Sequence, residues 1–196
     1  GAELHVLAMS RTENMMTGEV TLDERRLALP QIAAPIKAMV IDPRQLWLYV
    51  INGTGTADVF DLQNNALNGR YKLVEGATEV TTVSPLLGGI SLMIGDSKGG
   101  ITQWFMVRDG DDKGVLTRIR GFQLGHAAIT QILPEERRKG FLAVDSEGLL
   151  GVFHSTAHRT LLTESVAKGH ATVALSPRAN RVLVESDGQF QDWALD

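Results

Sequence analysis

The chain of 196 residues is 43% hydrophobic and 21% charged, with a formal net charge of −4. It is long enough to enclose one sizeable core, and its composition is that of an ordinary globular protein. Lysines and arginines are scattered beside acids instead of forming the basic face that nucleic-acid binding needs, so we predict no nucleic-acid partner. The absence of cysteine excludes disulfides, thiolate metal sites and cysteine nucleophiles.

The pattern of apolar residues predicts strands throughout. No segment keeps the helical spacing of apolar residues over three turns, and 20 glycines interrupt the candidates. Residues 23–27 are the one place where a helical turn competes with a strand. The apolar runs also stay well below the ~20 residues that a membrane-spanning helix needs. We therefore expect membrane association only through a larger parent protein.

About 17 strands are predicted, and after the first two they fall into four units. The expected strands are residues 4–10 and 19–29; 36–41, 46–50, 57–62 and 70–74; 80–83, 91–94, 101–107 and 115–122; 129–133, 141–144, 149–154 and 159–162; and 171–175, 181–185 and 189–195. The first two strands are predicted to be the outer strands of a partial unit, and the last unit has three strands instead of four.

Each of the four units carries the same signature, in which an aromatic residue follows a glycine by five positions. The four pairs are Gly55 and Phe60, Gly99 and Trp104, Gly148 and Phe153, and Gly188 and Trp193. An acid or amide precedes each glycine by three positions, at Asn52, Asp96, Asp145 and Glu185. This spacing is typical of a hairpin turn with a capping side chain and a glycine at positive φ. An aromatic residue that recurs once per unit indicates a structural core position.

A β repeat of this length is typical of a propeller blade. We predict an all-β, β-propeller-like array of four-stranded antiparallel blades, with about three full blades and two partial ones. A β-sandwich is the alternative, although it does not require such a repeat. We predict that residues 1–196 form one propeller-like domain and expect it to be a fragment excised from a larger membrane protein.

Several residues are candidates for chemical sites. His154 and His158 are four positions apart, a spacing that holds a metal on a helix, but the segment is predicted to be a strand and a turn. We therefore predict no metal and leave these two histidines as the candidates. His126 and His170 each follow a glycine before an inner strand and are predicted to stabilise turns. Trp47 falls outside the repeat and is predicted to be exposed, which makes it a candidate for partner binding.

Other polar segments lack the order that a binding site requires. Residues 108–114 are acidic but do not follow the pattern of a calcium loop, and residues 95–100 do not follow that of a phosphate-binding loop. A propeller hydrolase would need carboxylates at the strand starts around the central channel, whereas the repeat places its acids in hairpin turns. We predict that the chain is not an enzyme and binds no cofactor.

Two resemblances extend these expectations. Residues 170–177 and 186–196 resemble a WD40 repeat, with Asp192 preceding Trp193 where the usual order is reversed. Residues 153–162 and 175–196 resemble the soluble insertion of the phosphate ABC-transporter permease subunit (PstC-like) of gammaproteobacteria. That resemblance implies a propeller-like domain inserted between membrane helices, which lie outside this chain. It carries over no functional residue.

Two functions follow as expectations. The first is a non-catalytic domain of a phosphate-transporter permease, periplasmic in a bacterial inner-membrane protein, which docks other transporter subunits or a substrate-binding protein. The alternative is a WD40-like scaffold unconnected with transport and located in the cytoplasm. In either case unpaired blade edges are expected to favour self-association.

Overall fold

A computed structural model describes residues 2–32, 35–86, 88–108, 114–136 and 139–195. Within these ranges every regular element is a β-strand, and no helix is long and apolar enough to cross a membrane. The strands are β1 (Ala2–Glu13), β2 (Val20–Ile32), β3 (Ile36–Ile41), β4 (Trp47–Asn52), β5 (Thr56–Asp61), β6 (Ala66–Lys72), β7 (Val80–Pro85), β8 (Ser91–Asp96), β9 (Gly100–Arg108), β10 (Gly114–Gln123), β11 (Ile129–Pro134), β12 (Gly140–Asp145), β13 (Leu149–His154), β14 (Arg159–Ser165), β15 (Thr172–Leu175), β16 (Arg181–Ser186) and β17 (Gln189–Ala194).

The strands form five antiparallel sheets in chain order. Blade 1 is β3 to β6, blade 2 is β7 to β10 and blade 3 is β11 to β14, each with four strands. Blade 4 has the three strands β15 to β17, and β1 pairs with β2 as a separate N-terminal ribbon. The predicted all-β propeller array, with three full blades and two partial ones, is confirmed.

The blades pack face to face because their middle strands are apolar on both sides. Strand β12 of blade 3, which packs between blades 2 and 4, is buried at all six positions. Its residues Phe141 and Ala143 contact blade 2, whereas Leu142 and Val144 contact blade 4. A continuous apolar strand is the expected pattern for a sheet covered on both faces.

The blades follow one another as an arc. The inner strand of each blade contacts that of the next, from β3 to β7, β11 and β15. Three apolar layers fill the junctions between successive blades, and a fourth lies between the ribbon and blade 1. Strand pairing does not join β17 to the ribbon in the described ranges, so the arc is open there.

Two predictions about blade 1 are wrong. Its fourth strand begins at Ala66 instead of residue 70, because Asp61 already closes the turn by accepting the amides of Gln63 and Asn64 at 2.8 and 3.0 Å. Gly69 lies in this strand, under the ring of Tyr71.

Trp47 is the second correction, since it is half-buried and not exposed. Its ring packs against the apolar layer between blades 1 and 2. The Asp42 carboxylate accepts the Trp47 backbone amide at 2.8 Å and fixes the start of the strand. Residues 23–27 lie in strand β2, so the competing helical turn is not formed. The acidic segment 109–113 lies outside the described residues.

Candidate functional site: interaction surfaces of the propeller

The repeated glycines occupy the hairpin turns between the second and third strands of the blades. Gly55, Gly99, Gly148 and Gly188 have φ of 92°, 78°, 80° and 75°. In blade 3 the Asp145 carboxylate accepts the amides of Glu147 and Leu149, both at 2.9 Å, and Asp96 makes the same pair of bonds in blade 2. These carboxylates therefore stabilise the turns, and backbone amides already occupy them as hydrogen-bond donors.

The repeated aromatic residues occupy equivalent cross-strand positions. Phe60 pairs with Leu48, Trp104 with Leu92, Phe153 with Phe141, and Trp193 with Val182. The first three are almost fully buried, whereas Trp193 is half-buried against the layer between blades 3 and 4. Each ring covers the face of its blade that packs on the preceding blade or, in blade 1, on the ribbon.

The turn of blade 4 differs from the others. Ser186 pairs directly with Gln189, so only Asp187 and Gly188 form the loop, both at positive φ. Glu185 caps this turn through its own side chain, accepting the Gly188 amide at 2.9 Å. This loop is one residue shorter than that of blade 3, so Glu185, paired with Phe190, corresponds to Val144, paired with Leu150. Val144 faces the next blade, and Glu185 lies on the corresponding outward face of blade 4.

His154 and His158 lie in the turn between the last two strands of blade 3 and make separate contacts. The Nδ1 atom of His154 accepts the backbone amide of Ala157 at 3.1 Å. The Nε2 atom of His158 lies 2.6 Å from the carbonyl oxygen of Gly121, and its ring stands edge-on to Phe122. These contacts tie blade 3 to the outer strand of blade 2. Among the described residues no three His, Asp or Glu side chains are grouped to hold a metal.

His126 and His170 are exposed, and the hydrogen bonds found in the described ranges do not involve their imidazoles. The turn beside His170 is held instead by its backbone carbonyl, which accepts Ser186 Oγ at 3.2 Å. The prediction that these side chains stabilise the turns is wrong for the described structure. Side chains from the acid positions perform that role.

A buried polar contact joins blades 2 and 3. Gln103 and Ser155 are 3% and 2% exposed, and Ser155 Oγ donates to Gln103 Oε1 at 2.7 Å. Arg120 also approaches the same oxygen at 3.4 Å. This group is satisfied internally, so it positions the blades and leaves no polar atom for a ligand.

A rim groove with a volume of about 510 Å³ lies between blades 1 and 2. Arg44, Trp47, Asp61 and Phe105 contribute to its lining. Arg44 lies 3.5 Å from the buried carboxylate of Asp42, and burial raises the pKa of nearby Tyr49, an effect to which the Asp42 charge adds. Arg44 is thus paired with Asp42, and the Asp61 carboxylate of the groove already accepts the amides of Gln63 and Asn64.

The outer edge of blade 4 carries a smaller apolar groove. Strand β17 has an unpaired outer edge in the described structure. Beside this edge a groove of about 120 Å³ is lined by Leu150, Leu162, Glu164, Val182, Trp193, Ala194 and Leu195. Of these residues only Trp193 was predicted, as a repeat position. The others were missed because they come from two blades that only the fold brings together.

Blade 2 shows what occupies the corresponding place in a four-stranded blade. There Leu116 of the outer strand pairs with Met106, two residues beyond Trp104, and is 3% exposed. In blade 4 the residue two positions beyond Trp193 is Leu195, which lines the groove. The groove therefore corresponds to the slot that an outer-strand aliphatic side chain fills elsewhere.

Comparison with known proteins finds a similar fold in solved structures but no match by sequence. No protein-family model and no curated protein matches the chain. The β-propeller domain of Myceliophteria_thermophila Cps50 (Swd1) superposes with a TM-score of 0.69 at 14% identity, over 88% of this chain and 60% of that one. A chain of the mitotic checkpoint complex superposes with a TM-score of 0.66 at 14% identity, over 98% of this chain and 57% of that one.

This chain thus spans about 60% of the length of the solved propellers that it matches. At 14% identity the likeness concerns the fold. Together with the blade topology it establishes that the described structure is a WD40-like β-propeller array.

Proposed function

We propose that this chain is a non-catalytic scaffold that binds an extended segment of a partner protein along the open edge of β17. The observation that carries the proposal is the unpaired third strand of blade 4 beside an apolar groove. An exposed edge presents unpaired backbone donors and acceptors, and strand addition is a common way in which such an edge binds a peptide.

The other blades indicate the chemistry of the partner segment. In blade 1 the outer strand places Arg70 on the buried carboxylate of Asp58, with contacts of 2.5 and 3.1 Å. In blade 2 the outer strand carries Leu116 and, two positions later, Arg118. Blade 4 has Gln191 where blade 1 has Asp58, so the blade 1 ion pair does not carry over. The partner strand is therefore expected to place an aliphatic residue in the groove and to run antiparallel to β17.

The test uses a fluorescent peptide with the sequence of β10 (Gly114–Gln123) as the probe. Saturable binding, measured by anisotropy, is expected for the wild-type chain. Leu162→Arg places a charge in the groove and is expected to weaken binding at least tenfold, since the slot then rejects the aliphatic side chain. The matched control is Leu161→Arg, because Leu161 is 60% exposed, does not line the groove and sits at the neighbouring position.

Absence of saturable binding, or equal binding by both variants, would contradict strand addition at this edge. A second peptide in which aspartate replaces Leu116 is expected to bind far more weakly, because it offers a carboxylate to an apolar slot. Self-association through the same edge, which the sequence predicts, is expected to be competed by the β10 peptide.

The permease hypothesis is a second candidate, supported by the resemblance of residues 153–162 and 175–196. It assigns the scaffold to a phosphate-transporter permease with this domain in the periplasm, where transporter subunits or a substrate-binding protein are the partners. Sequencing the coding region on both sides tests it directly. Apolar spans of ~20 residues upstream and downstream are expected, whereas further soluble sequence on both sides would favour a cytoplasmic scaffold.

A further inference from the structure

A cavity with a volume of about 260 Å³ lies at the junction of blades 1 and 2. The end of blade 1 contributes Lys72, the hairpin of blade 2 contributes Lys98, and the outer strand of blade 2 contributes Arg118. Pockets for drug-sized ligands usually enclose about 300–1,000 Å³, so this cavity fits a smaller molecule. It lies apart from the β17 groove, which blades 3 and 4 line.

The apolar part of the lining is held rigidly. Trp104 is 8% exposed, and its indole Nε1 donates to Thr102 Oγ1 at 2.8 Å. Phe122 is half-buried and stands edge-on to Phe141 of blade 3, with ring centroids 5.2 Å apart. Two fixed aromatic rings in the lining favour a ligand that has an apolar part.

The charged part of the lining is net positive. It consists of three cations and two acids, in a chain whose net charge is −4. Glu75 is paired with Lys72 at 3.0 Å, and the Asp96 carboxylate caps its hairpin by accepting two backbone amides at 2.8 and 2.9 Å. Neither Lys98 nor Arg118 forms an ion pair through its side chain in the described ranges. These two cations are therefore available to an anion.

Arg118 departs from the repeat. In the outer strands of blades 1 and 3, the residues opposite the repeated aromatic are Leu67 and Thr160. In blade 2, Arg118 lies opposite Trp104. Directly opposite residues share one face of a sheet, so Arg118 lies on the face of blade 2 that packs on blade 1. Gly121 leaves room for its guanidinium, because a Cβ at that position would lie 2.5 Å from Arg118 Nη2.

Lys98 departs from the repeat as well. It stands directly before the turn glycine of blade 2, where blades 1 and 3 have Thr54 and Glu147. Blades 1 and 3 thus form their turns and outer strands without these cations, so the fold itself requires neither of them. Both departures place a positive charge at one cavity, which indicates that the cavity meets a negatively charged ligand.

We propose that this cavity binds a small organic anion, with its charged oxygens on Arg118 and Lys98 and its apolar part against Trp104 and Phe122. A guanidinium donates two parallel hydrogen bonds to two oxygens of one group, and an ammonium adds a compact positive charge. A carboxylate and a phosphate monoester both present such oxygens. The site is distinct from the β17 edge and adds a small-molecule ligand to the proposed scaffold.

Nuclear magnetic resonance of the full chain labelled with ¹⁵N tests the proposal, because each of the three tryptophans gives one indole N–H signal. The probes are phenyl phosphate and benzoate, and the tighter binder of the two identifies the oxygen-bearing group. The Trp104 signal is expected to shift saturably, while that of Trp193, which lines the β17 groove, stays unchanged. Inorganic phosphate lacks the apolar part and is expected to bind about tenfold more weakly than phenyl phosphate.

Two variants remove the cations singly. Arg118→Gln and Lys98→Gln are each expected to weaken binding of the tighter probe by about tenfold, since each removes a charge-assisted hydrogen bond. The matched control is Arg159→Gln, because Arg159 is exposed on blade 3 and does not line the cavity; its affinity is expected to equal that of the wild type.

Three results would overturn the proposal. They are no saturable shift of the Trp104 signal with either probe, equal binding by Arg118→Gln and Arg159→Gln, and binding of inorganic phosphate as tight as that of phenyl phosphate. The β10 peptide is expected to shift the Trp193 signal instead, because Trp193 lines the β17 groove. The two signals therefore let this test and that of the proposed function fail separately.

Discussion

Truncation of the blade 3 aromatic is the most direct test of the repeat as a structural unit. Phe153 is fully buried and stacks on Phe141, with ring centroids 5.0 Å apart and planes 14° apart. Phe122 of blade 2 meets the same ring edge-on at 5.6 Å. Phe153→Ala removes the contacts of this ring with two blades at once and leaves a cavity between them. The expected loss is about 3–5 kcal/mol in the free energy of unfolding.

Urea unfolding followed by circular dichroism and by the fluorescence of the three tryptophans measures this loss. In thermal unfolding the same loss corresponds to a fall of about 6–20 °C, at about 2–4 °C per kcal/mol for a chain of this size. Leu161→Ala is the control, since Leu161 is exposed and its truncation is expected to change stability by less than about 0.5 kcal/mol. A loss below about 1 kcal/mol for Phe153→Ala would refute the assignment of the aromatic to a blade core.

Two further predictions concern the turns. Gly148→Ala is expected to lower the free energy of unfolding, measured in urea, more than Gly188→Ala does. Both glycines have positive φ. However, the new Cβ at Gly148 would lie 2.6 Å from the carbonyl oxygens of Ala167 and Gly169, whereas the Cβ at Gly188 would meet nothing within 4 Å. The shared backbone term is about 1–2 kcal/mol, and equal losses would contradict the packing of this turn. For Asp61, burial raises the pKa, but hydrogen bonds from Asn64 and Gln63 outweigh it and lower the pKa overall. Asp61→Ala is therefore expected to destabilise the chain most near neutral pH, and progressively less as the pH falls through the lowered native pKa of Asp61. Protonation of Asp61 in the wild type abolishes the same contribution to stability. A pH-independent difference between the two chains in urea unfolding would contradict this prediction.

Much of the architecture was predictable because the turn chemistry is local. An acid or amide three positions before a glycine indicates a capped hairpin wherever it occurs, and the carboxylate of Asp145 needs only the next four residues to satisfy it. The five-residue spacing to Phe153 then sets the facing of the next strand. The number of strands and the division into four units follow from this local pattern of turns and spacings.

The surfaces proposed for binding were less predictable, because they depend on residues far apart in the chain. Leu162 and Trp193 line one groove from two different blades, and no local pattern relates them. Trp47 was predicted to be exposed because its position breaks the repeat, yet it is half-buried by residues of blade 2. His126 was predicted to stabilise a turn, but the acid positions already satisfy the turn amides.

The sequence by itself determined the fold class, the position of the hairpin turns and the apolar character of the middle strands. Each depends on neighbouring residues and on the two-residue period of a strand. The tertiary structure alone decided that the base of the ribbon packs on blade 1 and that β17 keeps an open edge in the described structure. Burial depends on which sheet lies opposite, and the alternation within one strand cannot specify that neighbour.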